Sequence, residues 1–477
     1  SCSNNDDLTG GGTQSQADGV YMTLKISGAT SHGTRTSVTD GKTTTDNGSV
    51  AESTITEGMM YIYDGPTCVF RKVITKDMFE TAPTQTTSGV TKPIKVAVTG
   101  AITTGKKYDV YFLANRTNVD NPIAATSIFT SNTGGADFAT DNKFVMFNQN
   151  DGTKAAAHSK VEFTDAAKSD KSPAAADEIK LDRVVARIDR PSFAETVTTV
   201  TPATDTKTSI NVADVVAGIS YEGFAVSNLN NNSYVMQNWD TNFKTLNVKW
   251  GEPKYSLPKS TYGTLYNAEG LANFDTKEKP VSWKYAFENT TTDVNDATAV
   301  YFKVKVALTE TAMAASDFKD GTFYRYDGRL YTSIKAIFDN AATGEISNPF
   351  TETNSITPAD VVAKISDADG KLTTDEAKLA KFRQDYKIEV YRQGTMYYRW
   401  AISDNAYKPF VASDPTHTYS VLRNSIYRLN VTKVSEIGKD VPNGPEPDDP
   451  IKNPNFYMNV TVSINPWVLN AQPIELK

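Results

Sequence analysis

Alternation of apolar and polar side chains, not helical spacing, dominates this chain. Val20, Met22, Leu24 and Ile26 interleave with Tyr21, Thr23, Lys25 and Ser27, a period of two that buries one face of a strand. Asp18 and Gly19 open that strand and Gly28 closes it. Further strands are expected at 58–63, 67–73, 94–98 and 108–114, with turn residues at Asp64, Gly65 and Pro66 and at Gly105, Lys106 and Lys107. A β-branched run at 181–188 and extended patterns at 221–226 and 234–236 follow, and the polar stretch 237–242 reads as a domain boundary. Beyond it, 244–250, 299–307, 386–391, 396–402 and 425–434 have the same strand character. Helical segments are few, the clearest being 358–365 with Thr357 as cap, and 375–385. The expectation is an all-β protein of two β-sandwich domains carrying a few short helices.

The last forty residues change character. Asp440 to Pro450 holds Pro442, Pro445, Pro447 and Pro450, with Pro454 beyond, and prolines at that density favour extended chain and remove ladder donors. Past this linker, Met458, Val460, Val462 and Ile464 alternate with Tyr457, Asn459, Thr461 and Ser463. Asn465 and Pro466 break the pattern, Trp467 and Leu469 resume it, and Ile474 and Leu476 end it. An amphipathic strand on a tether buries its apolar face either on its own sheet or in a groove of a neighbour.

The 477 residues allow two or three domains, fewer if these are large β domains. Hydrophobic residues at 39% and charged residues at 22% permit packed cores. A net charge of -7, with no basic cluster, argues against nucleic acid as a partner. His32, His158 and His417 are the only histidines, so a zinc site or a histidine-based triad has little to draw on, and no cofactor or enzyme activity is expected. No apolar run is long enough to cross a bilayer as a helix.

Ser1, Cys2, Ser3, Asn4, Asn5 and Asp6 read like the residues left by bacterial lipoprotein processing, with Cys2 as the lipidation site and a Gly-containing tether over 1–17. A free thiol in an irregular terminus is the other reading of Cys2. Cys68 is expected to pack unpaired as a small hydrophobe. After the first strand, residues 28–36 are small and polar, the kind of segment proteases nick, and Arg35 is the first arginine of the chain, with Arg71 next. Cutting between Arg35 and Thr36 would free the first strand; an ordinary loop arginine is the alternative.

Several of these residues together carry a resemblance. The lipoprotein-like start, the early strand followed by an arginine, the run Gly105 to Asn115, the strand at 181–188, Gly394 to Trp400, Val421 to Val431, and Asn465, Pro466 and Trp467 resemble the fimbrillin family, the FimA-type and Mfa-type subunits of Bacteroidia type V pili. The resemblance implies two transthyretin-like β-sandwich domains at 18–237 and 238–439, a linker at 440–455 and a donor-strand segment at 456–477. It also implies that an arginine-specific protease removes 18–35, with Val20, Met22, Leu24 and Ile26. The vacated groove would then take the C-terminal strand of another subunit, with Met458, Val460, Val462, Ile464, Trp467, Leu469, Ile474 and Leu476 as its apolar side chains. On this reading the chain is a stalk subunit of a surface fimbria, exported as an outer-membrane lipoprotein and touching the membrane only through its lipid. Its partners would be its own copies, related fimbrial subunits, the protease and a host protein or glycan.

Two other constellations are weighed beside this one. Asp367, Asp369 and Glu376 fall at calcium-loop spacing, but Ile365 stands where the first carboxylate belongs, so an acidic turn is the competing account. Trp239, Trp250, Trp283, Trp400 and Trp467 could include a sugar-stacking platform, the mark of a carbohydrate-binding or adhesin-type surface lipoprotein, or could anchor cores and interfaces.

Overall fold

The computed structural model describes residues 19–24, 26–28, 46–80, 94–124, 126–150, 159–201, 209–238, 274–291, 294, 296–353, 355–403, 419–442 and 458–468. Among them, strands in several sheets predominate and the helices are short. The fold is all-β. No described helix is long and apolar enough to cross a membrane.

Two sheets enclose the first core. One has the order Ala174–Ala175, Val20–Leu24, Ile94–Val98; the other runs Ile26–Gly28, Ile179–Arg183, Met146–Asn148, Lys107–Ala114, Gly58–Asp64, Thr67–Ile74. Met22, Leu24, Val96, Met60, Ile62, Val110 and Phe112 are buried together in that core; Val20–Leu24 and Ile94–Val98 alternate in burial, whereas Gly58–Asp64 is buried on both faces. The second core lies between a sheet containing Trp283–Phe287, Val185–Asp189, Ser425–Val434 and Met458–Val468, and a sheet of Val216–Ser227, Ala299–Leu308 and Thr395–Ala401. A third, smaller core packs helices Ile334–Ala342, Pro358–Ala363 and Glu376–Tyr386 against the hairpin Phe323–Tyr326 and Arg329–Tyr331 and the strand Glu389–Tyr391.

The expected strand at 181–188 is two strands, Ile179–Arg183 and Val185–Asp189, lying in different sheets. Val184 between them donates its N–H to Val145 O at 3.0 Å, and the first core gives way to the second between Val185 and Ala186, upstream of Gln237. The expected strand at 386–391 begins only at Glu389, because Tyr386 is the last residue of the helix before it, which Lys387 ends at φ 57°. The expected strand at 244–250 lies outside the described residues, as do all three histidines. Cys68 is buried in the first core but is held in a disulfide, which corrects the expectation of an unpaired thiol; the other cysteine, Cys2, lies outside the described residues.

Candidate functional site: the first strand, the C-terminal strand and the frame between them

The first strand occupies a slot in the first core. It pairs antiparallel with Ile94–Val98, from Val20 opposite Val98 to Leu24 opposite Ile94, and parallel with Ala174–Ala175 on its other side. Beyond Leu24 the chain changes sheets, and Ile26–Gly28 pairs parallel with Ile179, Lys180 and Leu181. The strand therefore closes both layers of the sandwich. Val20, Met22, Leu24 and Ile26 are all buried, so the four side chains expected to face inward do so. At about 1.5–3 kcal/mol per large apolar side chain, the four bury on the order of 6–12 kcal/mol of transfer free energy. Emptying the slot would uncover that apolar floor together with the unpaired backbone edges of Ile94–Val98 and Ile179–Arg183.

The C-terminal strand Met458–Val468 pairs with its own chain. It runs antiparallel along Ser425–Val434, from Pro466 opposite Ser425 to Met458 opposite Val434, with a bulge between Val431 and Lys433. On its far side, Trp467 and Val468 pair parallel with Asp46 and Asn47. Pro466 sits near the end of the ladder, where a missing donor costs least.

The chain leading out of the second core is rooted by buried charge. Asp440 pairs with Arg383 and accepts from Val390 N at 2.9 Å. Lys439 and Tyr397 exchange both backbone bonds, at 2.7 and 2.8 Å. Arg325 makes a bidentate pair with Glu389, both bonds 2.9 Å, and donates to Ile437 O at 2.9 Å. Burial and the neighbouring Glu389 push the Asp440 carboxyl up, against the pull of Arg383 and the Val390 N–H.

Between the two cores stands a second buried polar frame. Ser49 caps the helix Val50–Ser53 reciprocally with Glu52, an S-x-x-E pattern visible in the sequence. The Glu52 carboxylate accepts from Arg187 at 3.1 Å and from the Tyr285 hydroxyl at 2.7 Å. Burial works to raise the Glu52 carboxyl, but Tyr285, the Ser49 N–H, Arg187 and Arg183 together hold it below the ordinary range. Arg183, 1% exposed, donates to Glu52 O, Ser53 Oγ and Asn424 Oδ1. Burial brings its guanidinium down to about 9, against the favourable charges of Glu52 and Asp182. Arg423 pairs with Glu288 at 3.1 Å and donates to the carbonyls of Val235 and Tyr234. Sequence reasoning missed these arginines because a charge read from sequence alone is assigned to solvent.

The motif residues turn out to be geometric. Asn115 and Asn424 sit at φ 62° and 55°, a region asparagine tolerates, and each uses its side chain to tie neighbouring segments together. Gly394, at φ 79°, has no room for a Cβ, which would come within 2.4 Å of Val306 O. Tyr398 in the same motif donates its hydroxyl to Glu436 O at 2.6 Å.

Asp367 accepts the backbone N–H groups of Asp369 and Lys371, both at 2.9 Å, and Glu376 pairs with Arg392 at 2.8 Å. The three residues thus serve an acidic turn and an ion pair, and no group of three or more metal-ligating side chains gathers among the described residues. Trp283 lies under the Arg187 guanidinium, 4.5 Å from its ring centroid, and Trp400 packs against the second core. Cys2, Arg35, Thr36, Trp239, Trp250, Leu469, Ile474 and Leu476 lie outside the described residues, as does the chain at 443–457. For Met458, Val460, Val462, Ile464 and Trp467 the backbone alone is described.

Residues 389–473 match the family model described as Major fimbrial subunit protein type IV, Fimbrillin, C-terminal. The matched span takes in the Asp440 root, the strand Ser425–Val434 and the C-terminal strand, and it bears out the resemblance to the fimbrillin family over that region. Among solved structures, the chain is similar to a fimbrilin from Porphyromonas gingivalis W83, at 15% identity over 94% of this chain and 98% of that one, with a TM-score of 0.41. It is also similar to a putative cell adhesion protein from Parabacteroides distasonis, at 12% identity over 94% and 99% of the two chains, with a TM-score of 0.43. A third similar structure is the tip fimbrial protein Mfa3 from Porphyromonas gingivalis with C-terminal truncation, at 11% identity, 94% and 100% coverage and a TM-score of 0.30. No curated protein matches the chain.

Proposed function

We propose, for a chain whose residues 389–473 belong to the fimbrillin C-terminal family, that it is a structural subunit of a cell-surface fimbria, in the stalk, and polymerises by strand exchange. The observation that carries the reading is the first strand: Val20–Leu24 fills a place in one sheet and Ile26–Gly28 a place in the other, with four buried alternating side chains. Removing such a strand leaves a groove that takes another strand of the same alternation, and 458–464 has it. Processing is assigned to Arg35 and Thr36 and donation to Met458, Val460, Val462, Ile464, Trp467, Leu469, Ile474 and Leu476. The domain division belongs to the same proposal: a first domain that ends where the first core gives way to the second carries the slot, and the second domain leads through the linker 440–455 to the donor segment 456–477.

Lipid attachment at Cys2 would deliver the precursor to the outer membrane. A sulfur that carries a lipid cannot also bridge, so the lipidated chain would hold Cys68 as a reduced thiol, readable by alkylation of detergent-extracted protein. The fibre reading is tested by deleting 456–477: the truncated chain should fold as a monomer that cannot extend a fibre, and fibre growth from it would overturn the proposal.

A further inference from the structure

The sheet that holds Trp283–Phe287, Val185–Asp189 and Ser425–Val434 has two faces of opposite character. Ala186, Ile188, Ala286, Tyr427 and Leu429 turn into the second core. Alternation places Arg187, Asp189, Trp283, Tyr285, Arg428 and Asn430 on the other face. At one end the helix Val50–Ser53 covers that face, with Glu52 accepting from Arg187 at 3.1 Å and from the Tyr285 hydroxyl at 2.7 Å. One cross-strand pair further along, the row is open. Trp283 lies opposite Asp189 in the ladder, and Asp189 accepts from Arg428 Nε at 2.8 Å. Trp283 is 38% exposed, the most exposed aromatic ring among the described residues, and the Arg428 side chain is 41% exposed.

The ring is nevertheless fixed. The Arg187 guanidinium lies 4.5 Å from its centroid on one face, and the indole N–H is directed at the Tyr285 hydroxyl. Arg187 is held in turn by Asp189, at 2.7 and 3.2 Å, and by Glu52. A ligand that stacks on Trp283 therefore meets an aromatic surface whose orientation is already set, and little ordering of the ring is left to oppose binding.

We propose that Trp283, with Asp189 and Arg428 beside it, is a binding platform for a neutral, β-linked sugar. A pyranose with equatorial hydroxyls carries axial C–H groups on its faces, so one face is apolar enough to lie on an indole while the hydroxyls point outward from the ring. The groups beside Trp283 suit those hydroxyls. Asp189 accepts three hydrogen bonds from Arg187 and Arg428, and a carboxylate has about four acceptor positions, which leaves one for a sugar hydroxyl. Arg428 brings its guanidinium to the same rim, and Ser192 and Asn430, joined at 3.0 Å, continue the polar row. Charge separates a neutral ligand from an acidic one: Arg187 and Arg428 are matched on this face by Glu52 and Asp189, so the patch has no net positive charge to draw a carboxylate or sulfate. With a single ring as platform, the contact is weak, in the millimolar range. Only the multiplication of that contact along a fibre rests on the strand-exchange reading above. The site itself belongs to the unprocessed monomer and uses no side chain of the first strand or of the donor segment.

The test uses the full-length, unprocessed chain, with lactose, cellobiose and chitobiose as probes and sialyllactose as the acidic comparison. Saturation-transfer NMR and tryptophan fluorescence should show saturable, millimolar binding of at least one of the neutral disaccharides. Trp283→Ala should weaken it at least about tenfold, whereas Trp283→Tyr, which keeps a ring at the position, should retain most of it. Three results would overturn the proposal: no saturable binding of any of the neutral disaccharides, binding undiminished in the Trp283→Ala chain, or tighter binding of sialyllactose than of lactose. All three are read on the monomer, so a failure of strand exchange is a separate result and leaves the platform standing.

Discussion

Asn424 accepts hydrogen bonds through Oδ1 from both the backbone N–H and the Nη1 of Arg183, at 3.2 and 3.1 Å, while its Nδ2 donates to Asp182 at 3.0 Å. One amide thus joins the last residues of a first-core strand to the start of Ser425–Val434, the strand beside which the C-terminal segment lies. Asn424→Ala should destabilise the chain by about 2–4 kcal/mol, combining unpaired buried donors with the cost of alanine at φ 55°. Asn424→Gly keeps the backbone geometry and should recover about 1 kcal/mol of that loss in denaturant unfolding. Equal losses for the two substitutions would assign the whole effect to the side-chain bonds.

Glu52 makes stability depend on acid in a defined direction. Its carboxyl is held below the ordinary value of about 4.3, so its contribution is complete above that value and is lost as pH falls through the lower folded one. Glu52→Gln should therefore flatten the acid limb of a stability profile. At neutral pH it should cost about 2–3 kcal/mol, on the low side for a broken buried pair because Arg187 keeps Asp189. An acid limb unchanged in the variant would place the proton uptake elsewhere.

Met22 separates the precursor from the assembled form. In the precursor its side chain is fully buried, and Met22→Ala should lower stability by about 2–5 kcal/mol. Once 18–35 is removed and another strand fills the slot, position 22 is gone, so fibres made from the variant should melt at the temperature of native fibres. A lowered melting temperature of the fibre would mean that the first strand stays in place after assembly.

Much of the sheet structure was legible because one-faced burial writes a period of two into the sequence. Val20 to Ile26, Ile94 to Val98 and Met458 to Ile464 show it plainly, and strands lie at all three places. The change of core after Val185 was not legible, because Val184, Val185 and Ala186 are all buried and alternation vanishes where a chain passes between two cores. The edge strand Trp283–Phe287 was missed for a related reason: Tyr285, Ala286 and Phe287 follow one another without a polar break. The helix Ile334–Ala342 did carry its signals, Ser333 as cap and Ile334, Ile337 and Phe338 on one face, and went unread among strands. At the candidate site, the alternation marked where the two strands lie, whereas the arginine and carboxylate frame beside them depends on partners far apart in the chain. Arg423 and Glu288 are such a pair.

The most direct measurement treats the purified chain with an arginine-specific protease, sequences the new N-terminus and follows assembly by size and electron microscopy. The account predicts a single new start at Thr36, loss of the strand Val20–Leu24 and growth of filaments. A chain left intact at Arg35, or one cut there that stays a stable monomer, would contradict it.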